Sequence, residues 1–385
     1  MRTQYNNLRI LVLAALTLSA ELRAQTSVNI VTTSVPFLRI SPDARAGGMG
    51  DLGIATSPDI NAVYINAAKI PFTKKNGGFG FNYSPWLSDL GLNNLYLAGL
   101  SYYTKTGTDN NQVFFGNLRY FSLGNMQFTD FMGNQLGSYK PREFALDFGY
   151  SRKIAAQLSM GFSFRIINSS VATGAATNGL VYSAGKSVAA NLSLYHYGED
   201  KNGEGINWGI AIANLGSKIS YTNDANNKDF IPANLGIGVT YSKLLEANSK
   251  LTFGMDINKL LVPAAPELTG NNALDIQRLN QFRNSTVMGS WFKSFGDGTA
   301  FASSLQYSLG AEFLYNQQFA LRTGYFHQNR STGATPYFTA GIGIKRKEMS
   351  VDLSYLLPSG SGIARNPLSN TIRLGMILDI NKEKF

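Results

Sequence analysis

The chain has 385 residues, a formal net charge of +10, 44% apolar residues, only 15% charged residues, two His and no Cys. A soluble domain usually carries about a quarter charged residues, and the lack of cysteine excludes disulfides, thiolate metal or redox sites and a lipid anchor on cysteine. The basic residues are scattered and form no stripe, which argues against nucleic acid as a partner, while a basic exterior suits acidic lipopolysaccharide or an acidic protein.

Residues 1–24 read as a secretory signal peptide. Arg2 and Arg9 form its basic start, Ile10–Leu18 its apolar core, and Ala24 a small residue before the cut. The apolar run is too short to cross a membrane as a helix. Its removal takes away three Arg and one Glu and leaves a charge of +8.

Residues 25–75 are rich in Pro, Gly, Ala and Asp and lack strand alternation. They read as an N-terminal hatch, folded into or against a barrel, with a short helix over Asp59–Ile70. Gly48-Met49-Gly50-Asp51-Leu52-Gly53 matches the glycine spacing of dinucleotide-binding turns. Such a site needs a strand before it and a helix N-terminus after it. Pro36 and Pro42 disturb the upstream side and Thr56-Ser57-Pro58-Asp59 follows, so a tightly packed glycine turn is the better reading.

From residue 76 the pattern changes to a period of two. Leu158–Ile166 reads Leu-Ser-Met-Gly-Phe-Ser-Phe-Arg-Ile, with a large apolar residue at every even position. That is a strand with one greasy and one wet face. Strand candidates lie at 76–84, 93–104, 111–123, 143–153, 157–168, 185–198, 205–214, 232–243, 249–259, 284–295, 303–316, 318–328, 336–346, 347–357 and 369–380. Single-chain outer-membrane barrels have an even number of strands, so one of these fifteen should be false. In 284–295 the apolar residues Val287, Met288, Trp291, Phe292 and Phe295 have helical spacing. Without it, long and short connections alternate throughout, as outer loops and periplasmic turns do. The expectation is an all-β fold: a 14-stranded antiparallel transmembrane β-barrel over 76–385, with a long external loop at 260–302 carrying an amphipathic helix.

The inward positions of these strands carry Asp147, Arg165, Asp256, Glu312, Arg322, Asp352, Arg373 and Asp379. Mixed signs point to a cross-lumen network of structural ion pairs rather than a selectivity ring of one charge. Tyr83, Trp86, Tyr102, Tyr103, Tyr120, Phe121, Tyr195, Tyr197, Tyr315, Tyr325 and Tyr337 cluster near strand ends and read as interfacial girdles. His196 and His327 fall on the outward face near the two interfaces. There is no G-x-S-x-G and no cluster with metal-ligand spacing, so neither an enzyme nor a cofactor is expected. The last residue, Phe385, has the aromatic character common at barrel C-termini but the wrong parity for the lipid-facing set Ile372, Leu374, Met376, Leu378 and Ile380.

The block Val35–Thr56 contains Pro36, Phe37, Leu38, Asp43, Arg45, Gly47, Gly48, Met49, Gly50, Asp51 and Gly53. It resembles the start of the PorV family, outer-membrane barrels of the type IX secretion system of Bacteroidetes. The stretches Phe144–Lys153 and Leu357–Thr371 resemble it too. The family lies within the FadL-like group of barrels, whose hatch often carries Asn-Pro-Ala; here Asn66-Ala67-Ala68 stands in that place. The resemblance implies a secretion shuttle. It would bind the C-terminal signal domain of cargo leaving the translocon barrel and pass it to a sortase and attachment complex in a lipopolysaccharide surface. Trp291 and Phe292 of the external helix are of types favoured at interfaces, or else cover the barrel mouth. The alternative is a FadL-type transporter of hydrophobic small molecules.

Overall fold

The computed structural model describes residues 33–380 apart from 87–93, 108, 130, 131, 134, 172, 174, 175, 178, 179, 223–227, 247, 267, 268, 297–300, 330–335 and 358–369. The expected signal peptide and Phe385 lie outside the described residues.

Fourteen strands form one closed antiparallel barrel. They are β1 (Gly77–Pro85), β2 (Leu95–Thr106), β3 (Gln112–Leu123), β4 (Arg142–Lys153), β5 (Leu158–Ser170), β6 (Gly185–His196) and β7 (Gly205–Gly216). The second half comprises β8 (Asn234–Glu246), β9 (Ser249–Leu260), β10 (Leu305–Tyr315), β11 (Phe319–Gln328), β12 (Tyr337–Arg346), β13 (Met349–Leu357) and β14 (Ile372–Ile380). Each strand pairs with its sequence neighbours, and β1 closes on β14 from Gly77↔Ile380 to Tyr83↔Leu374. Closure satisfies every ladder within the wall, which a membrane requires because lipid offers no hydrogen bonds.

The alternation is physical. On β5, Met160, Phe162, Phe164 and Ile166 are 42–51% exposed on the lipid face, while Ser159, Ser163 and Arg165 are buried inside. Short turns gather at one end, the periplasmic end by the rule for such barrels. Long connections gather at the other and hold two small hairpins, Met126–Thr129 with Gln135–Tyr139 and Ala176–Thr177 with Leu180–Val181. The connection from β9 to β10 carries α2 (Asn272–Asn284) and α3 (Val287–Lys293), so 284–295 is helical rather than a strand.

Residues 33–76 fill the lumen from the outer mouth downward. Ser34 N–H donates to the Phe230 carbonyl, and Val35, Phe37 and Leu38 pack with Leu97, Phe121 and Ile167 near the outer ends of β2, β3 and β5. The short helix α1 (Ala44–Gly47) lies against β12–β14. The expected helix over Asp59–Ile70 is instead two 3-10 turns, Ile60–Tyr64 and Ala67–Phe72. They break at Asn66, which is extended, caps the second turn through Ala68 N–H, and donates to the carbonyls of Ile54 and Leu194. Tertiary bonds override local propensity there. Ile60 and Ile70 then pack on Tyr103, Val113 and Phe115 in the lower half, beside the start of β1.

Four of the expected girdle residues are in fact interior. Tyr103, Phe121, Tyr195 and Tyr337 are buried against the hatch. Adjacent Tyr102 and Tyr103 show why: successive side chains face opposite sides, so only Tyr102 of the two meets lipid.

Candidate functional site

The hatch is held by charge. Asp43 caps α1 through Arg45 N–H at 2.9 Å. That turn aims the Arg45 guanidinium at Glu312 on β10, with Nε–Oε2 at 3.0 Å and Nη2–Oε1 at 2.8 Å, and at Asp59 at 2.7 Å. Glu312 also accepts from Arg322 on β11 at 2.7 Å, and Arg322 donates to Asp352 on β13 at 2.6 Å. The result is one alternating chain, Asp59–Arg45–Glu312–Arg322–Asp352, with a bidentate geometry at its centre.

Three further anchors follow along the glycine-rich turn. Gly50 N–H donates to Thr339 Oγ1 at 2.9 Å. Asp51 pairs with Arg373 and accepts from Tyr337 O–H at 2.5 Å. Asp256 Oδ2 accepts from the backbone N–H groups of Gly53 at 2.7 Å and Ile54 at 2.9 Å. Lys69 donates to the Gly53 carbonyl at 2.6 Å and to Thr56 Oγ1 at 2.8 Å, and burial lowers its amine to about 8. At the top, Phe37 stacks on Phe121 with ring centroids 6.2 Å apart. Met49 is fully buried, Gly47 abuts the Arg373 side chain and Gly48 the Gly341 backbone.

The inward charges therefore do not span an open lumen. Glu312, Arg322, Asp352, Asp256 and Arg373 bind the hatch or its partners, because the hatch occupies the space they face. Asp147 and Arg165 form a wall pair between β4 and β5, bidentate at 2.6 Å. Asp379 sits at the periplasmic rim with Lys345 at 2.9 Å, outside the network. Arg45, Asp51 and Gly53 belong to the hatch motif, but nothing local in sequence names their partners.

Asp43 gives a test of hatch electrostatics. Burial, then the nearby negative charges of Asp59 and Asp352, raises its carboxyl to about 6. Between the unfolded value of about 3.9 and that value the folded state holds the extra proton, so this group's contribution to stability falls as pH rises through the window and then levels off. Asp43→Asn is expected to remove that contribution to the slope and to seat the hatch more firmly at pH 7.5. Protease accessibility of residues 44–76 against denaturant, at pH 5 and 7.5, measures it; an unchanged pH response in the variant contradicts it.

The outer mouth carries the second feature. Lys218 Nζ donates to the carbonyls of Arg283 at 2.5 Å and Ser285 at 2.7 Å, at the C-terminal end of α2. It also lies 4.1 Å from the Phe230 ring centroid. Lys259 Nζ donates to the Ser294 carbonyl at 2.7 Å, just past α3. Cations at helix C-termini complement the exposed carbonyls, and here they tie both helices to the barrel. On these helices Met288 is 65% and Phe292 75% exposed. Trp291 is half-buried, so of the two expected contact residues only Phe292 is free. His196 stacks on Trp208 and His327 packs beside Tyr307 and Tyr325, both away from the hatch contacts.

A closed fourteen-stranded wall with a lumen-filling N-terminal segment defines an outer-membrane β-barrel plugged by its own chain. Within that class the chain belongs to the PorV family: the model of the type IX secretion system protein PorV matches residues 23–267. The Ralstonia pickettii toluene transporter TbuX is similar in structure, with a TM-score of 0.51 at 11% identity over 87% of this chain and 96% of that one. The Pseudomonas putida toluene transporter TodX gives 0.51 at 11% identity over 91% and 98%. The monoaromatic hydrocarbon channel CymD gives 0.50 at 12% identity over 89% and 98%. At such identities the likeness is one of fold. No curated protein matches the sequence.

Proposed function

We propose that this type IX secretion barrel is a non-catalytic shuttle, which binds the C-terminal signal domain of cargo at the translocon and delivers it to the cell-surface sortase and attachment complex. The observation that carries this reading is the Met288–Phe292 ridge, apolar and solvent-facing on helices that two lysines fix to the barrel mouth. Apolar side chains held on a rigid scaffold suit protein recognition. Transport of hydrophobic small molecules would instead need an apolar path past the hatch. The hatch is bound to the wall by ion pairs and polar side chains on several strands, which weighs against that alternative.

The double variant Met288→Asp with Phe292→Asp is expected to leave secreted cargo in the periplasm or with its C-terminal signal uncleaved, at normal barrel abundance. Immunoblots of surface and periplasmic fractions read this out. Normal processing by a properly inserted double variant would remove the ridge from the mechanism. Recovery of cargo signal domains or sortase with the wild-type barrel, lost in the variant, separates the shuttle from the transporter.

A further inference from the structure

Arg119 on β3 is 2% exposed, and among the described residues no carboxylate lies within ion-pair distance of it. Its Nη1 donates to the Leu38 carbonyl at 2.9 Å and its Nη2 to the Tyr64 carbonyl at 2.6 Å, so it ties two distant points of the hatch to the wall. Its Nε–H finds no acceptor. The same residue lines a cavity of about 40 Å³ at the seam between hatch and wall, together with Tyr64, Ser163, Arg165 and Asn191. Ser163 Oγ accepts from Asn191 Nδ2 at 2.8 Å, which leaves its own hydrogen for an occupant. Arg165 is matched by Asp147. The seam thus holds two guanidinium groups against one carboxylate.

A buried charge without a counter-charge is costly, and Arg119 Nε–H, Ser163 O–H and the unpartnered Tyr64 O–H at the cavity can each donate. We infer that this cavity binds one small monovalent anion, a halide or a formate-sized carboxylate, that accepts from Arg119 Nε–H and Ser163 O–H and neutralises Arg119. The volume suits a few heavy atoms and no acyl chain. The cavity abuts the point where β6 and β7 lose register between Ala190 and Leu192, and there Asn191 Oδ1 accepts the Asn214 N–H in place of a ladder bond. Bulges of this kind re-aim side chains beside functional sites. The anion acts as a structural ligand: by holding Arg119 charged and oriented, it keeps Leu38 and Tyr64 fixed to the wall.

The test uses the full-length mature barrel in detergent. Crystals grown in sodium bromide are expected to show an anomalous peak in the cavity beside Arg119 Nε, or, for a carboxylate site, crystals grown in sodium formate to show a planar three-atom density there; water-level density in both would overturn the inference. In solution, chloride or formate should raise the unfolding midpoint by about 2 °C or more over bulky gluconate at equal ionic strength. Arg119→Gln should abolish the gain and Ser163→Ala should reduce it. A response to chloride alone identifies a halide site, and one to formate a carboxylate site. No response to either, or an equal response in Arg119→Gln, contradicts the proposal. The bromide experiment stands on the wild type even if Arg119→Gln fails to fold.

Discussion

Arg45→Ala is expected to loosen the hatch by about 3–5 kcal/mol, the usual consequence of removing one member of a buried ion pair. The guanidinium meets Glu312, Asp59 and Ser57, and all three lose it together. Arg322 still neutralises Glu312, so the cost falls toward the lower end of that range. The barrel itself should remain, because its ladders do not pass through Arg45. Gel mobility of unheated samples reports the intact barrel, and protease cleavage within residues 44–76 reports the loosened hatch. Glu312→Ala alone should also be severe, since it leaves Arg45 and Arg322 facing each other. The double variant should cost less than the sum of the two singles, because the partners are in contact. Simple additivity would show that the pair does not hold the hatch.

Gly324→Val is expected to expel the hatch from its seat. A Cβ on Gly324 would lie 2.1 Å from the Gly50 nitrogen and 2.1 Å from the Met49 carbonyl carbon, both backbone atoms that cannot turn aside. Gly50 cannot retreat by taking another residue's shape, since its φ is +69° and its own Cβ would meet the Tyr325 backbone at 2.8 Å. Two backbones in direct contact leave no room for a side chain on either. The variant barrel should still insert, and it should conduct ions in a planar bilayer where the wild type is closed. A closed, protease-resistant Gly324→Val barrel would refute the packing argument.

Most of the wall was legible in sequence because two solvents write the pattern: lipid demands apolar residues on one face and the polar lumen demands the reverse. All fourteen strands were placed within a few residues, and the helical spacing of Val287, Met288, Trp291 and Phe292 marked the one false candidate. The candidate site was legible only in part. Glu312 and Arg322 could be placed inside by parity, but their partner Arg45 lies 267 positions from Glu312 and carries no periodic signal. Asp379 has inward parity yet pairs with Lys345 of the wall at the periplasmic rim rather than with the hatch, a matter of depth that alternation does not encode. One signal was present and unused. Gly238, Gly254, Gly310 and Gly324 all fall on the inward parity, and each marks a place where the hatch backbone or a hatch side chain touches the wall. A barrel filled by its own side chains has no need of such gaps.

The described part of the hatch begins at the outer mouth and runs directly into β1, the strand that seals the barrel against β14. Its contacts straddle that join: Asn82 on β1 donates to Asn61 at 2.9 Å, and on β14 Arg373 pairs with Asp51. Biogenesis is thereby constrained. Zipping of the first strand onto the last and seating of residues 44–61 draw on the same contacts, so each step favours the other.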